Sequence, residues 1–370
     1  MVNCERSHLR CEGRWLAMLL CTASCLTTLQ CAGEEVDTSK PLKVYILAGQ
    51  SNMDGQAHVR TIDFLGEDKQ FGDLLKLVKP DGKRLVTRGD VWVAHRGVYG
   101  DLGPGYGGRR ADDALGNKIG PEYAFGCRIG ERSSERVLLI KVAAGGTSLY
   151  QDWRPPSAGL PQDVDPQKVG RMYRALVSYV HATLRDLKQR FPEYREETGY
   201  QIAGLVWFQG FNDLFHVTGR KEYGQNLVHL IRDLRREFSA PKMRVVVGVM
   251  GVNGVDNEKN PKQKDVRDGQ RFVNTVPEFR GTVKAIETAP WLHPEIVKMK
   301  CAGWLYPERD LKKQPLTDEE QAILARATSD KGYHYYGSGR FFVLLGAALA
   351  DAMLELEQGG TKPADALGAP

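Results

Sequence analysis

Residues 43–55 read Lys43-Val44-Tyr45-Ile46-Leu47-Ala48-Gly49-Gln50-Ser51-Asn52-Met53-Asp54-Gly55. Val44 to Ala48 form a short apolar run with β-branched weight, the composition of a strand buried in a parallel sheet. Gly49 permits a sharp turn and a close backbone approach just past that strand, and Ser51 follows. Open α/β sheets bind ligands outside the carboxyl ends of their strands, so a serine here stands where substrate and a base can reach its hydroxyl. A serine after a strand also serves as a helix cap. The rest of the chain decides between the two roles.

Outward from this stretch, strand-like runs recur at Val137–Val142, Ile202–Phe208, Val245–Met250 and Val283–Glu287. Between them Val169, Met172, Tyr173, Leu176, Val177, Val180, Leu184 and Leu187 keep a three-and-four spacing, one apolar stripe on a long helix. Leu227, Leu230, Ile231 and Leu234 repeat it, as do Phe341, Leu345, Leu349, Ala352 and Leu356. Such alternation predicts an α/β fold whose five strands are mostly parallel, joined by right-handed crossovers and covered on both faces. With no internal linker, one domain is expected over residues 42–357, followed by a loose Gly/Pro/Ala-rich tail at 358–370. Residues 60–119 fit the alternation poorly. They hold a strand-like piece, Asp90–His95, and a glycine run that matches G-x-G-x-x-G through Gly103, Gly105 and Gly108. A dinucleotide fingerprint must follow a strand and open a helix, so a loop on the substrate side is expected instead.

The chain has 370 residues, 42% hydrophobic and 26% charged, enough for a substantial core. A net charge of +5 is too mild to imply nucleic acid, and no basic stripe with interleaved aromatics appears. Arg10 and Arg14 precede the apolar stretch Trp15 to Leu29, and Cys31-Ala32-Gly33 offers small residues for cleavage. Residues 1–33 therefore read as an export signal, which places the mature protein in the periplasm or outside the cell. The stretch is about fifteen residues, short of the roughly twenty that span a bilayer, and no later segment is long and apolar enough to do so. Removal would leave only Cys127 and Cys301, as one bridge or two thiols. No ligand spacing for a metal is visible, so no metal or cofactor is expected. His58, His95, His216 and His293 read as ordinary polar positions.

Four segments carry the chemistry: Gly49 to Met53, Ala143 to Ser148, Trp207 to Asp213, and Ser329 to His334. Three follow predicted strands and the fourth precedes the last helix, so the shared edge of a parallel sheet can gather them. Ser51 is then the nucleophile, His334 the base that takes its proton and later protonates the leaving alkoxide, and Asp330 the orienter of the imidazole. The developing oxyanion needs donors. Candidates are the Ser51 amide, a backbone amide at Gly145 or Gly146, and a side-chain amide from Gln209 or Asn212. Gln50 and Asn52 beside the nucleophile, with Trp153 and Arg154, are candidates for substrate contact. An indole suits stacking on a sugar and a guanidinium suits a carboxylate; packing of Trp153 at the rim and pairing of Arg154 with Asp152 are the plainer roles.

These segments resemble the consensus blocks of the SGNH (GDSL-like) hydrolases. Gly49-Gln50-Ser51-Asn52-Met53 narrows the likeness to the sialate O-acetylesterase / carbohydrate esterase family 6 group. Gly120-Pro121-Glu122, Gly145-Gly146-Thr147 and Trp207 to Asp213 resemble further motifs of that group, over roughly residues 42–355. The resemblance implies a flavodoxin-like three-layer α/β/α fold and metal-free hydrolysis of acetyl esters on carbohydrates, sialic acid or a polysaccharide such as xylan. Within it Gln209 is favoured over Asn212 as the oxyanion donor. Two departures stand out. Asp330 lies four residues before His334 where the family has D-x-x-H, which leaves a Ser–His dyad as the alternative, and Phe211 replaces the glutamate of W-x-Q-G-E. A decayed, carbohydrate-binding relative and a general lipase or thioesterase are the competing functions.

Overall fold

The computed structural model describes residues 36–108, 115–255, 260–299, 315–360 and 367. The expected export signal, Cys301 and most of the tail lie outside them. In chain order the strands are β1 (Leu42–Gly49), β2 (Ala57–His58), β3 (Arg88–His95), β4 (Val98–Leu102) and β5 (Lys118–Ile119), then β6 (Val137–Ala143), β7 (Tyr200–Phe208), β8 (Arg244–Val249) and β9 (Val283–Glu287). β2 and β5 make a separate two-stranded ribbon.

The five expected strands are β1, β6, β7, β8 and β9, side by side in the order β6-β1-β7-β8-β9 and all parallel. The sheet nevertheless has seven strands rather than five. β3 adds in parallel beside β6, and β4 folds back antiparallel at the edge. Periodicity understated this hairpin because the continuous buried run of β3 is only Val91 to His95, after the polar Arg88 and the half-buried Gly89 and Asp90. The real signal was the turn: Arg96 and Gly97, at φ 47° and 77°, form the two-residue loop that tight hairpins need.

Helices cover both faces. On one, Tyr45 of β1 meets Phe125 of the helix Pro121–Arg132 edge-on at 5.6 Å and donates its hydroxyl to Glu357 of the last helix, Gly339–Glu357, at 2.5 Å. Gly204 of β7 lets that last helix approach, since a Cβ there would stand 2.6 Å from the Met353 sulfur. The last helix is buried almost end to end instead of along one stripe, because it lies between the sheet and its neighbouring helix. On the other face Trp207, three residues further along β7, donates its indole N–H to the hydroxyl of Tyr223 in the helix Tyr223–Glu237.

Register then fixes where the site lies. Gly49 at the end of β1 is level with Ala143 of β6 and with Phe208 of β7. The first three segments therefore leave the sheet as neighbours. Gly49 is required for this closeness: a Cβ there would sit 2.1 Å from the Phe208 carbonyl oxygen.

Candidate active site

Ser51 opens a one-turn helix, Ser51–Asp54, directly after the extended residue Gln50. Its side chain is half-exposed, and Oγ makes no hydrogen bond among the described residues, His334 included. Catalytic hydrogen bonds are commonly loose until substrate closes the site. As the first helical residue, Ser51 also presents an amide N–H that no turn of the helix can satisfy. Gly145 stands beside it, since a Cβ built there falls 3.7 Å from that of Ser51. The Gly145 and Gly146 amides are exposed and donate to no carbonyl among the described residues.

Next comes the histidine. Its loop, Gly332–Gly337, bends through Tyr335 and Tyr336 at φ 52° and 58°, a left-handed conformation that costs bulky residues on the order of 1–2 kcal/mol each. Packing holds it there. Tyr335 stacks on Phe341 at 3.8 Å, and the Tyr336 carbonyl accepts from the amides of Ser329 and Asp330. This wrap brings Asp330 Oδ1 to 3.2 Å from His334 Nδ1, so the four-residue spacing still reaches. Burial opposes ionisation of Asp330, but hydrogen bonds from His334 and the Lys331 amide, with Lys118 nearby, hold its carboxyl below the usual range. An ionised Asp330 accepts the Nδ1 proton, which leaves Nε2 as the basic nitrogen. Asn52 ties this loop to the serine helix through Nδ2 to the Tyr333 carbonyl at 3.0 Å.

Four of the sequence candidates have other work. Gln209, favoured above as oxyanion donor, spends its amide on the protein: Nε2 donates to Asp213 Oδ2 at 2.7 Å, the Thr147 carbonyl at 2.9 Å and Gln50 Oε1 at 3.2 Å. Gln50 in turn accepts from the Gly210 amide at 3.0 Å, so it braces the third segment from beneath. Trp153 is fully buried, edge-on to Trp207 at 5.3 Å, with its N–H on Thr147 Oγ1, and cannot stack on a sugar. Arg154 is buried too, held by the carbonyls of Tyr150, Ala158 and Gly159 and by Glu222 rather than Asp152. Asn212 differs. It is half-exposed, only its backbone amide is bonded, and its carboxamide is unspent.

A buried charge network beneath the serine helix was not foreseen. Lys141, wholly buried in β6, donates to Glu122 Oε2 at 2.7 Å and to the carbonyls of Asp54 at 2.7 Å and Tyr106 at 3.0 Å. Glu122 also accepts from the Gly120 amide. His95, read as an ordinary polar position, is buried between the Lys141 carbonyl at 2.9 Å and Asp54 Oδ1 at 3.2 Å. A lysine inside the run Val137-Leu138-Leu139-Ile140-Lys141-Val142 was the available signal, since buried lysine is rare unless paired. His58 and His216 do have local roles, each accepting a backbone N–H at the start of a short helix. Among the described residues no group of three metal-ligating side chains occurs.

An α/β sheet that gathers a serine, a histidine–aspartate pair and unspent amides at the ends of its strands has the parts of an ester hydrolase. Residues 41–289 match the family model described as carbohydrate esterase, sialic acid-specific acetylesterase. The chain belongs to that family and is a carbohydrate esterase. It is 24% identical over 243 residues to a protein named probable carbohydrate esterase of Arabidopsis thaliana, covering 64% of this chain and 78% of that one. The solved structure of that Arabidopsis protein superimposes with a TM-score of 0.51 at 18% identity, covering 85% of this chain and 98% of the other, a likeness of fold. A carbohydrate acetylesterase from Xanthomonas citri aligns at 12% identity and TM-score 0.40, over 71% of this chain and 56% of its own.

Proposed function

We propose that the protein removes O-acetyl groups from carbohydrates by a Ser–His–Asp mechanism, on a three-layer α/β/α scaffold of the flavodoxin-like type. Ser51 Oγ attacks the acetyl carbonyl while His334 Nε2 takes its proton. The amides of Ser51 and Gly145 and the carboxamide of Asn212 receive the oxyanion. Collapse breaks the C–O bond to the sugar, whose oxygen takes the proton from His334, and acetyl stays on Ser51. Water, deprotonated by His334, then releases acetate and restores the serine. The basic stretch and apolar run before residue 33 support an exported setting.

The observation that carries this reading is the tether from Asn52 to the Tyr333 carbonyl, beside the Asp330–His334 pair. It fixes the base on the element that bears the nucleophile. Rapid quenching with an excess of 4-nitrophenyl acetate, followed by peptide mass spectrometry, tests it. One acetyl group should appear on the peptide containing Ser51. Turnover of the ester with acetyl found on another residue, or on none, would contradict the mechanism.

A further inference from the structure

The turn of the β3–β4 hairpin carries a residue that turn chemistry alone would not choose. Arg96 is the first of its two loop residues, at φ 47°, a left-handed conformation that Asn, Asp or Gly fills with less strain. What the arginine adds is reach. Its Nη2 donates to the Ala143 carbonyl at 2.9 Å and lies 3.4 Å from Asp54 Oδ2. His95, the residue before it, meets the other carboxylate oxygen, Asp54 Oδ1, at 3.2 Å. Consecutive residues at the end of β3 thus grip both oxygens of one buried carboxylate.

Both contacts of Arg96 lead to the oxyanion amides. Asp54 closes the one-turn helix that Ser51 opens, and a helix of four residues has too little stability of its own to aim its first amide. Ala143–Ala144 is the last peptide before Gly145. Arg96 takes its carbonyl, and its N–H donates to the Gly49 carbonyl at 3.1 Å. Beyond it the Gly145 and Gly146 amides donate to no carbonyl among the described residues, so their direction follows from that planar unit. One guanidinium nitrogen therefore joins the two backbone segments that present the donors.

From this we infer that Arg96 is a positioning residue for ester hydrolysis, which sets the separation of the Ser51 and Gly145 amides without touching substrate. The inference rests on the oxyanion assignment proposed above and names the group that holds those donors in place. Charge on the carbonyl oxygen develops only in the transition state, so the contribution of Arg96 belongs to turnover and not to substrate binding.

Steady-state hydrolysis of 4-nitrophenyl acetate by Arg96→Met and Arg96→Lys tests the role, with rates expressed per serine that reacts with a fluorophosphonate. Both variants keep an unbranched side chain of similar length, and only lysine keeps the cation. Arg96→Met should lose about 10- to 100-fold in kcat with KM within about twofold of wild type, the pattern of a displaced transition-state donor. Arg96→Lys should stay within about fivefold of wild type in kcat, because one nitrogen makes both contacts and a point charge can replace it. Arg96→Gln, neutral and shorter, should show the same loss as Arg96→Met and repeats the test if that variant does not fold. Wild-type kcat in the neutral variants, an equal loss with lysine, or a loss carried by KM would overturn the role. Retention of wild-type turnover by Ser51→Ala would instead remove the serine mechanism itself, and the role of Arg96 with it.

Discussion

Gln209 and Asn212 are three positions apart, and what their amides touch separates their roles. Gln209 joins the segments after β1, β6 and β7, whereas Asn212 leaves its carboxamide unspent among the described residues. Asn212→Ala should therefore lower turnover on an acetyl ester by about 10²- to 10³-fold, with little change in melting temperature. Gln209→Ala should instead cost roughly 1–3 kcal/mol of stability, because it strands buried acceptors around Asp213 and Thr147. Turnover and urea denaturation of both variants check this, and a rate collapse confined to Gln209→Ala would reverse the assignment. The sequence placed both residues after the right strand; spacing did not choose between them, and the family resemblance favoured Gln209. Gly210, at φ 152°, breaks the in–out alternation of the strand between the two.

Lys141 and Glu122 work at the level of elements. One ammonium holds the end of the serine helix through Asp54, the loop at Tyr106, and the start of the helix Pro121–Arg132 through Glu122. Removing one partner of a buried pair leaves a charge uncompensated. Lys141→Met should thus destabilise by about 3–5 kcal/mol, and the double variant Lys141→Met, Glu122→Leu should recover most of that loss. Chemical denaturation of the two variants measures it, and equal losses would show that the lysine acts through its bonds to the carbonyls alone. Periodicity found the five parallel strands because each is a continuous buried run. It caught β3 only as the strand-like piece Asp90–His95 and missed β4, where the residues are mostly half-exposed and the turn carries the information. Pairing of Lys141 with Glu122 was also beyond it, because contacts between β6 and the helix before it are set by packing, not by spacing along the chain.

Across the whole molecule, Asp213 joins two segments of the site by accepting N–H bonds from Leu149 and Tyr150 at 2.9 and 3.0 Å and from Gln209. Burial pushes its carboxyl up to about 6 from an ordinary 3.8, against the pull of those three bonds. Between about pH 4 and 6 the folded state holds this proton longer than the unfolded chain does. Stability should then fall as pH rises through that window, by up to roughly 3 kcal/mol from this group. Asp213→Asn lacks the effect, so the stability of wild type relative to the variant should shrink from pH 4 to pH 6; a constant difference in denaturation experiments would refute it. All of this serves one arrangement, in which parallel strands end together and Ser51 emerges where they meet. The hydrolysis of acetylated xylan and of 4-nitrophenyl acetate by wild type and Ser51→Ala, with melting curves of both, tests that arrangement most directly. The account predicts a loss of at least about 10⁴-fold on both substrates with unchanged melting; near-wild-type acetate release by folded Ser51→Ala would contradict it.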